Sequence, residues 1–549
     1  MEKTKKTTNF THGAAILGFA GLIVKVIGAV YRIPLANILD KGLGYYEVAY
    51  PIYSGLLVIS SAGIPTAISK LVSERIALGD AIGAKKVFSS ALKVLLLIGI
   101  ITSVLLLALA VPIAKMADQE PAKLSLIALA PALFFVSIMC AYRGYLQGMQ
   151  CMTGTAISQL IEQFIKLLVG FSLAALLMKR YPKHPEYAAM GALIGVTISE
   201  FAALIFIALY YNIRLRRGTL SICIGRNAAD SVAPSNEIIK KLLVIAIPIT
   251  IGASIMPITA TADTLFITRI LKERAISAGI DADIAKESAQ TAFRVLRGYV
   301  TPLINMPAVL TLALSMSLVP AISQAVTKRE WRNVNSASRT GIKLALLIGA
   351  PCAAGLFVLG GPIMSMLYDA VRSDREIYIQ AQQVMYIAAI GVLFLSLVQT
   401  LTGIIQGIGK PRVPVYFLAV GGAVKIISML VLMKFTNLGI LGAAISTVLC
   451  YAIAGIGDTV YVIRKTRMSI SYSDTFIKPI LSSVVMGVFV HLVFGIFKSL
   501  GHPTIGTMLA IIVGIAVYAV SMILSRPFAA SDLEYLPKRR LFAKIFRID

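Results

Sequence analysis

Charge is scarce in this chain. Of its 549 residues, 14% are Asp, Glu, Lys or Arg and 57% are hydrophobic, with a mean hydropathy of +0.83. Soluble domains carry about a quarter charged residues, so a soluble core-and-surface architecture is excluded. Long polar segments are missing too, and no stretch could build a separate soluble domain. The nearest approach to a phosphate loop, GIGKPR from Gly407, lacks the spacing and the Ser or Thr after lysine, which removes ATP as a direct energy source. The four histidines (His12, His184, His491, His502) are scattered without zinc-ligand spacing. The five cysteines (Cys140, Cys151, Cys223, Cys352, Cys450) lie in or beside apolar runs without a pairing pattern, and read as inert core thiols. Neither a nucleophile elbow nor a glycosidase-type carboxylate pair stands out. These gaps argue against an enzyme and against a resident metal or organic cofactor.

What the chain has in abundance is apolar runs of about 20 residues, the length of a membrane span. We count about 14 of them, which predicts an all-α polytopic membrane protein. The N-terminus starts like a signal peptide, but Lys25 interrupts its apolar run and no small-residue cleavage site follows. It reads as an uncleaved first helix.

Acids are also few, 26 against 52 Lys and Arg, for a net charge of +26. No contiguous basic domain exists to hold nucleic acid. With the N-terminus inside, the even-numbered connections and both tails carry about twice the basic residues of the other side, which is the positive-inside pattern. Clusters at Arg214–Arg226, Lys328–Arg332, Arg464–Arg467 and Lys538–Arg540 would face anionic lipids with both termini cytoplasmic.

The polar stretch 212–238 divides the chain, and the two sides resemble each other. KVLLLIG from Lys93 corresponds to KLALLIG from Lys343, VPIAKM from Val111 to GPIMSM from Gly361, and GYLQG from Gly144 to GIIQG from Gly403. IPTAIS from Ile64 matches VPAIS from Val319 more loosely. Matches in one order argue for duplication. The reading is an N-lobe at 1–211, a cytoplasmic linker at 212–238, a C-lobe at 239–463, and two added helices with a basic tail at 464–549. Six helices per copy keep both copies in one orientation, so the expected symmetry axis lies along the membrane normal with a substrate path between pseudo-symmetric lobes.

Several charges fall inside spans, where insertion of a cation costs about 2.5 to 3.5 kcal/mol. At 100° per residue, Gly18, Gly21, Lys25, Gly28 and Arg32 occupy a stripe roughly 80° wide on helix one, its two cations about 10 Å apart along the axis. This is either an anion-attracting wall or a glycine packing face from which Arg32 snorkels. On helix five, Glu162 and Lys166 are spaced for an internal ion pair. The repeat puts Lys425 opposite Lys166 and Gly421 opposite Glu162, which leaves Lys425 without that local acid. Asp263 on helix seven aligns near the Arg32 level. It suits a gate with Arg32, a sodium or proton site, or a carboxylate bonded to Thr259 or Thr264. Arg294 and Arg297 mark the start of helix eight, and Arg297 is a further cavity candidate. Arg143 reads as a headgroup anchor, and Glu200 as paired or functional.

The run KVIGAVYRIPLANIL, followed by Tyr45 to Glu74, together with ADTLFI and GIIQGIGKPRVP, resembles the polysaccharide-transporter branch of the multidrug/oligosaccharidyl-lipid/polysaccharide flippase superfamily. Closest are MurJ-like lipid II flippases of Gram-positive bacteria and the stage V sporulation protein B group. The resemblance implies paired lobes around a cationic cavity and alternating access driven by sodium, protons or membrane potential. It also implies a lipid-tail groove from helices 13 and 14, and Lys25 and Arg32 as the cations of helix one. The acid that follows the second of those cations in Gram-negative relatives is absent, Ile33 standing there. The implied partners are a lipid-linked oligosaccharide and cell-wall synthesis proteins, with a monomeric carrier in the bacterial plasma membrane. A cation-coupled multidrug antiporter and a non-transporting scaffold are the competing readings.

Overall fold

The computed structural model describes residues 2–216, 234–469 and 471–525, with side chains from Leu17 onward. The stretch 217–233 with Cys223 and Arg226, and the tail with Lys538–Arg540, lie outside the described residues. Among the described residues, fourteen helices are long and apolar enough to cross a membrane. They are α1 (Glu2–Leu39), α2 (Gly42–Ala77), α3 (Ala81–Met116), α4 (Ala122–Gly148), α5 (Met152–Arg180), α6 (Pro185–Arg216), α7 (Ser235–Ser277), α8 (Ala282–Thr327), α9 (Trp331–Leu367), α10 (Arg375–Gly407), α11 (Arg412–Phe435), α12 (Ile440–Thr466), α13 (Ser473–Ser499) and α14 (Pro503–Ser525). Strands are absent among the described residues.

The helices outrun the apolar segments because their polar ends remain helical once capped. Asp80 accepts from Gly83 N at 2.6 Å ahead of α3, Asp281 from Asp283 N at 2.9 Å ahead of α8, and Asp374 from Glu376 N at 2.8 Å ahead of α10. Helix eight therefore begins at Ala282, and Arg294 and Arg297 lie several turns inside it instead of at its start.

By compactness the chain divides into Met1–Arg269 and Ile270–Asp549. This boundary falls inside α7 and not in the polar stretch 212–238 expected to divide the lobes, because the first part of α7 packs with the helices before it. The first part of α7 packs on α2, where a Cβ at Gly63 would lie 2.5 Å from Thr250 Oγ1. Here α2 breaks at Ala62 into Gly42–Ser61 and Gly63–Ala77, since Pro65 lacks the N–H that would bond the carbonyl of Ser61.

The two units repeat the same helix-to-helix contacts. In the first, a Cβ at Gly99 would lie 2.9 Å from Ser137 Cβ, at Gly144 2.9 Å from Pro65 O, and at Gly148 2.8 Å from Ser69 O. In the second, Gly349 faces Ser396 Cβ at 2.8 Å, Gly403 faces Ser315 O at 2.8 Å, and Gly407 faces Val319 O at 3.1 Å. The matching glycines are the points where backbones approach too closely for a side chain. In the second unit, α13 and α14 pack on each other and on α9, with Tyr518 Oη donating to Leu347 O at 3.0 Å.

Gly403→Val should lower stability by about 1 to 3 kcal/mol, the usual cost of overpacking. Gly495, which has nothing within 4 Å of its Cβ position, should accept alanine with no loss. Thermal unfolding in detergent compares the two.

Candidate functional site

The first unit carries a continuous belt of charged and aromatic side chains. A tight turn at Asp40 (φ 46°) folds α2 back on α1 and sets Arg32 level with Glu47. The Arg32 guanidinium donates to Glu47 Oε1, and the side chains are 29% and 2% exposed. The acid missing at Ile33 is thus supplied by the next helix. It also means that Arg32 does not snorkel free, and that the carboxyl meeting it is Glu47 and not Asp263.

Tyr46, Tyr50 and Tyr53 follow at i, i+4 and i+7 on one face of α2. The rings of Tyr46 and Tyr50 are parallel with centroids 5.5 Å apart, and Tyr50 and Tyr53 are 6.0 Å apart. Lys166 donates to Tyr50 Oη at 3.4 Å, and its ammonium stands 5.0 Å from the Tyr50 centroid, within cation–π range. Lys166 opens a π-turn, Lys166–Gly170, in the middle of α5, beside the crossing of Gly170 with Gly195 on α6.

The expected Glu162–Lys166 pair is replaced. Glu162 Oε2 accepts from Arg143 Nη2 at 2.9 Å, and Arg143 Nε donates to Ser158 Oγ at 3.0 Å. Arg143 is therefore a partner inside the bundle, 13% exposed in its side chain, and not a headgroup anchor. A cross-helix guanidinium with two donors satisfies the acid better than a lysine drawn toward Tyr50. Glu200 of α6, 5% exposed, completes the belt within electrostatic reach of Tyr53, Glu162, Arg143 and Lys166.

Two of the belt's cations meet carboxylates directly, Arg32 with Glu47 and Arg143 with Glu162, and Lys166 lies against the ring of Tyr50. Lys25 lies outside the belt. Its side chain is exposed and has no hydrogen bond or ion pair among the described residues. Along the same stripe a Cβ at Gly21 would meet nothing within 4 Å, and one at Gly28 only Gln163 Oε1 at 3.9 Å. The glycine stripe is therefore open around Lys25 instead of packed. Asp263 is 4% exposed on α7. The hydroxyls expected to bond it are engaged elsewhere, Thr259 donating to Met256 O at 2.8 Å and Thr264 to Ala260 O at 3.0 Å.

In the second unit, Lys425 of α11 is 6% exposed. The acid missing one turn before it has a packing reason, since a Cβ at Gly421 would lie 2.6 Å from Cys450 O of α12. Arg297 sits in another π-turn, Val295–Val300, where Leu296 O accepts from both the backbone N–H of Thr301 and its Oγ1, the latter at 2.6 Å. A groove of about 560 Å³ opens between α9, α10 and α13, lined by Ala354, Phe357, Ile390, Val484 and His491 among others.

Sequence reasoning missed Glu47 and the tyrosine row. Both had a signal, a lone carboxylate in the apolar half of α2 and aromatics at helical spacing.

Fourteen apolar helices and a duplicated packing pattern define a multi-pass membrane protein. The chain belongs to the polysaccharide biosynthesis protein family, which it matches over residues 10–326, and a MatE match covers residues 298–431; both fall in the multidrug/oligosaccharidyl-lipid/polysaccharide superfamily. Relatives in Bacillus subtilis include the uncharacterized membrane protein YabM, 27% identical over 97% of this chain and 96% of that protein. Stage V sporulation protein B is 26% identical over 80% of each, and the lipid II flippase MurJ 24% identical over 93% of this chain and 94% of that one. The fold matches a lipid II flippase MurJ in an inward closed conformation, with TM-score 0.66 and 16% identity over 93% of this chain and 99% of that one. It also matches an inward-facing multidrug MATE transporter, with TM-score 0.61 and 16% identity over 81% and 94%. MurJ is a flippase and the MATE neighbour a transporter, and with its family membership this chain is a transporter and not an enzyme.

Arg32→Ala and Glu47→Ala should be strongly non-additive in a double-mutant cycle on thermal stability. The expected coupling is about 1 to 3 kcal/mol, because either single change leaves one charge of the pair alone. Additive effects would show that the pair contributes nothing to folding.

Proposed function

We propose that this protein is an alternating-access flippase for an undecaprenyl-pyrophosphate-linked saccharide, and that the saccharide is the peptidoglycan precursor lipid II. Its place would be the bacterial plasma membrane, with both termini cytoplasmic. The observation that carries this reading is Lys25, an exposed cation without a partner on an open glycine stripe, where hydrocarbon would otherwise penalise it. A pyrophosphate supplies the missing counter-charge. Arg32, Lys166, Lys425 and Arg297 are the further cations assigned to the anion's path, and Asp263 and Glu162 are assigned to ion coupling or gating. The groove between α9, α10 and α13 has the size and apolar lining for a lipid chain. The MurJ and stage V sporulation protein B relatives support this substrate class.

The reading as a cation-coupled multidrug antiporter has its own support in the MATE neighbour and in the buried carboxylates Glu47 and Glu200 and the half-buried Glu162. Glu47 and Glu162 are paired with arginines, however, and the exposed charge that has no partner is the cation Lys25.

In bacteria depleted of their own lipid II flippase, this protein should restore precursor exposure on the outer leaflet. Lys25→Ala should abolish that exposure while the melting temperature stays within a degree or so of the parent, and Lys25→Arg should retain it. Because Lys25 holds no partner, loss of exposure here separates substrate binding from folding, which Arg32→Ala does not. No restoration, with protein in the membrane, would favour another lipid-linked saccharide. Full exposure in Lys25→Ala would defeat the role of this cation.

Asp263→Asn should weaken the dependence of transport on sodium or membrane potential. Unchanged coupling would return Asp263 to a structural role.

A further inference from the structure

Asp458, on α12 about two turns before its end, is the most deeply buried acid of the second unit among the described residues. It is 0% exposed, and neither carboxyl oxygen has a hydrogen-bond partner among the described residues. The contacts around it fix where it faces. α12 runs alongside α10, with Gly391 against Val448 at 3.3 Å and Gly455 against Phe394 O at 3.2 Å. It runs antiparallel to α11, with Gly421 against Cys450 O at 2.6 Å and Gly457 against Phe417. That register sets Asp458 level with Leu401 of α10 and with Pro414 in the first turn of α11. On the helical wheel it falls between the face that meets α10 and the face that meets α11. Its immediate surroundings on α12 are Ala454 and Val462, both 0% exposed.

No charged group compensates it. α10 carries none after Glu376. On α11 the candidates are Arg412, exposed near the first turn, and Lys425, about three turns away. On α9 they are Arg332, Arg339 and Lys343, on the connection before α11 Lys410, and on α12 itself Arg464 and Lys465. None of these bonds Asp458. An ionised carboxylate with no donor in an apolar seam is far costlier than the neutral acid.

We propose that Asp458 is a proton-binding site of the transport cycle. It is a carboxylic acid while the seam of α10, α11 and α12 is closed, as here, and a carboxylate once the seam admits water. In that step its O–H bond breaks, the electron pair stays on the carboxylate, and the proton passes to the entering water. The anion left behind faces the N-terminal turn of α11, where the helix dipole and Arg412 favour negative charge. Protonation and closure of this seam are therefore linked, and the site is separate from Asp263 and from the belt of the first unit.

The test uses the full chain in lipid nanodiscs. Infrared difference spectra across a pH series should show, at neutral pH, the carbonyl stretch of a protonated acid free of hydrogen bonds. The band should vanish on raising the pH and be missing in Asp458→Asn. Amide hydrogen exchange over residues 406–416 and 452–466, corrected for intrinsic rates, should accelerate over the same pH range in the parent and stay flat in Asp458→Asn. If that variant fails to insert, Asp458→Ser provides the same comparison. A parent without the band, a band that survives substitution, or equal pH response of exchange in parent and variant would overturn the proposal.

Discussion

The ion pair between Arg32 and Glu47 shows the constraint on which the belt of the first unit depends: a charge buried among membrane-spanning helices is stabilised by an opposite charge inside the bundle. Hydrocarbon offers no water to solvate a guanidinium. The helices are therefore fixed not only by apolar packing, which scarcely distinguishes a neighbour from a lipid tail, but also by where each cation can meet an acid. Arg32 ties α1 to α2, Arg143 ties α4 to α5, and Lys166 leans from α5 onto the tyrosines of α2. Each tie joins segments that are separate in sequence, so the belt and the bundle stabilise one another. Removal of one member leaves a charge that the lipid cannot accommodate.

Two of the cations sit where the helical ladder itself is irregular. Lys166 begins the π-turn Lys166–Gly170, and Arg297 lies inside the π-turn Val295–Val300. A π-turn adds a residue to one turn and loosens the backbone bonding there, a feature found more often at functional sites than elsewhere. Its compensation is visible at the second site, where Thr301 fills the carbonyl of Leu296. At the first, the turn lies next to the crossing of Gly170 with Gly195, where the absence of side chains lets two backbones meet. Irregularity and close packing thus occur together, and both bear on how the lysine is presented.

Most of the architecture was legible in the sequence. Hydropathy marks spans because the bilayer imposes one length on all of them, and all fourteen were found. The duplication was legible because glycines at backbone crossings tolerate little change, so Gly99, Gly144 and Gly148 reappear as Gly349, Gly403 and Gly407 with the same kind of neighbour. Pairing was not legible. Local spacing assigns Glu162 to Lys166, whereas the actual partner is Arg143 on the preceding helix, a choice set by how α4 and α5 pack. Glu47 stood in plain view within an apolar run, but nothing in the order of residues says that the turn at Asp40 brings it level with Arg32. Sequence shows which charges need partners; the three-dimensional packing decides which partner each receives.

The balance of the belt bears on what such a protein can carry. A carrier must hold its cargo firmly enough to strip water from it and loosely enough to release it, the compromise that governs conduction through any desolvated site. A cavity wall with every cation free would bind a pyrophosphate too tightly to turn over. In the belt Arg32 and Arg143 are already engaged by acids, Lys166 is shared with an aromatic face, and Lys25 projects without a partner onto an open stripe. One unpartnered cation backed by a network of paired charges can attract an anion, and the paired arginines become available only if their acids are drawn away. On the proposed reading, that arrangement would make anion binding conditional on rearrangement of the helices, which is what alternating access requires of a carrier.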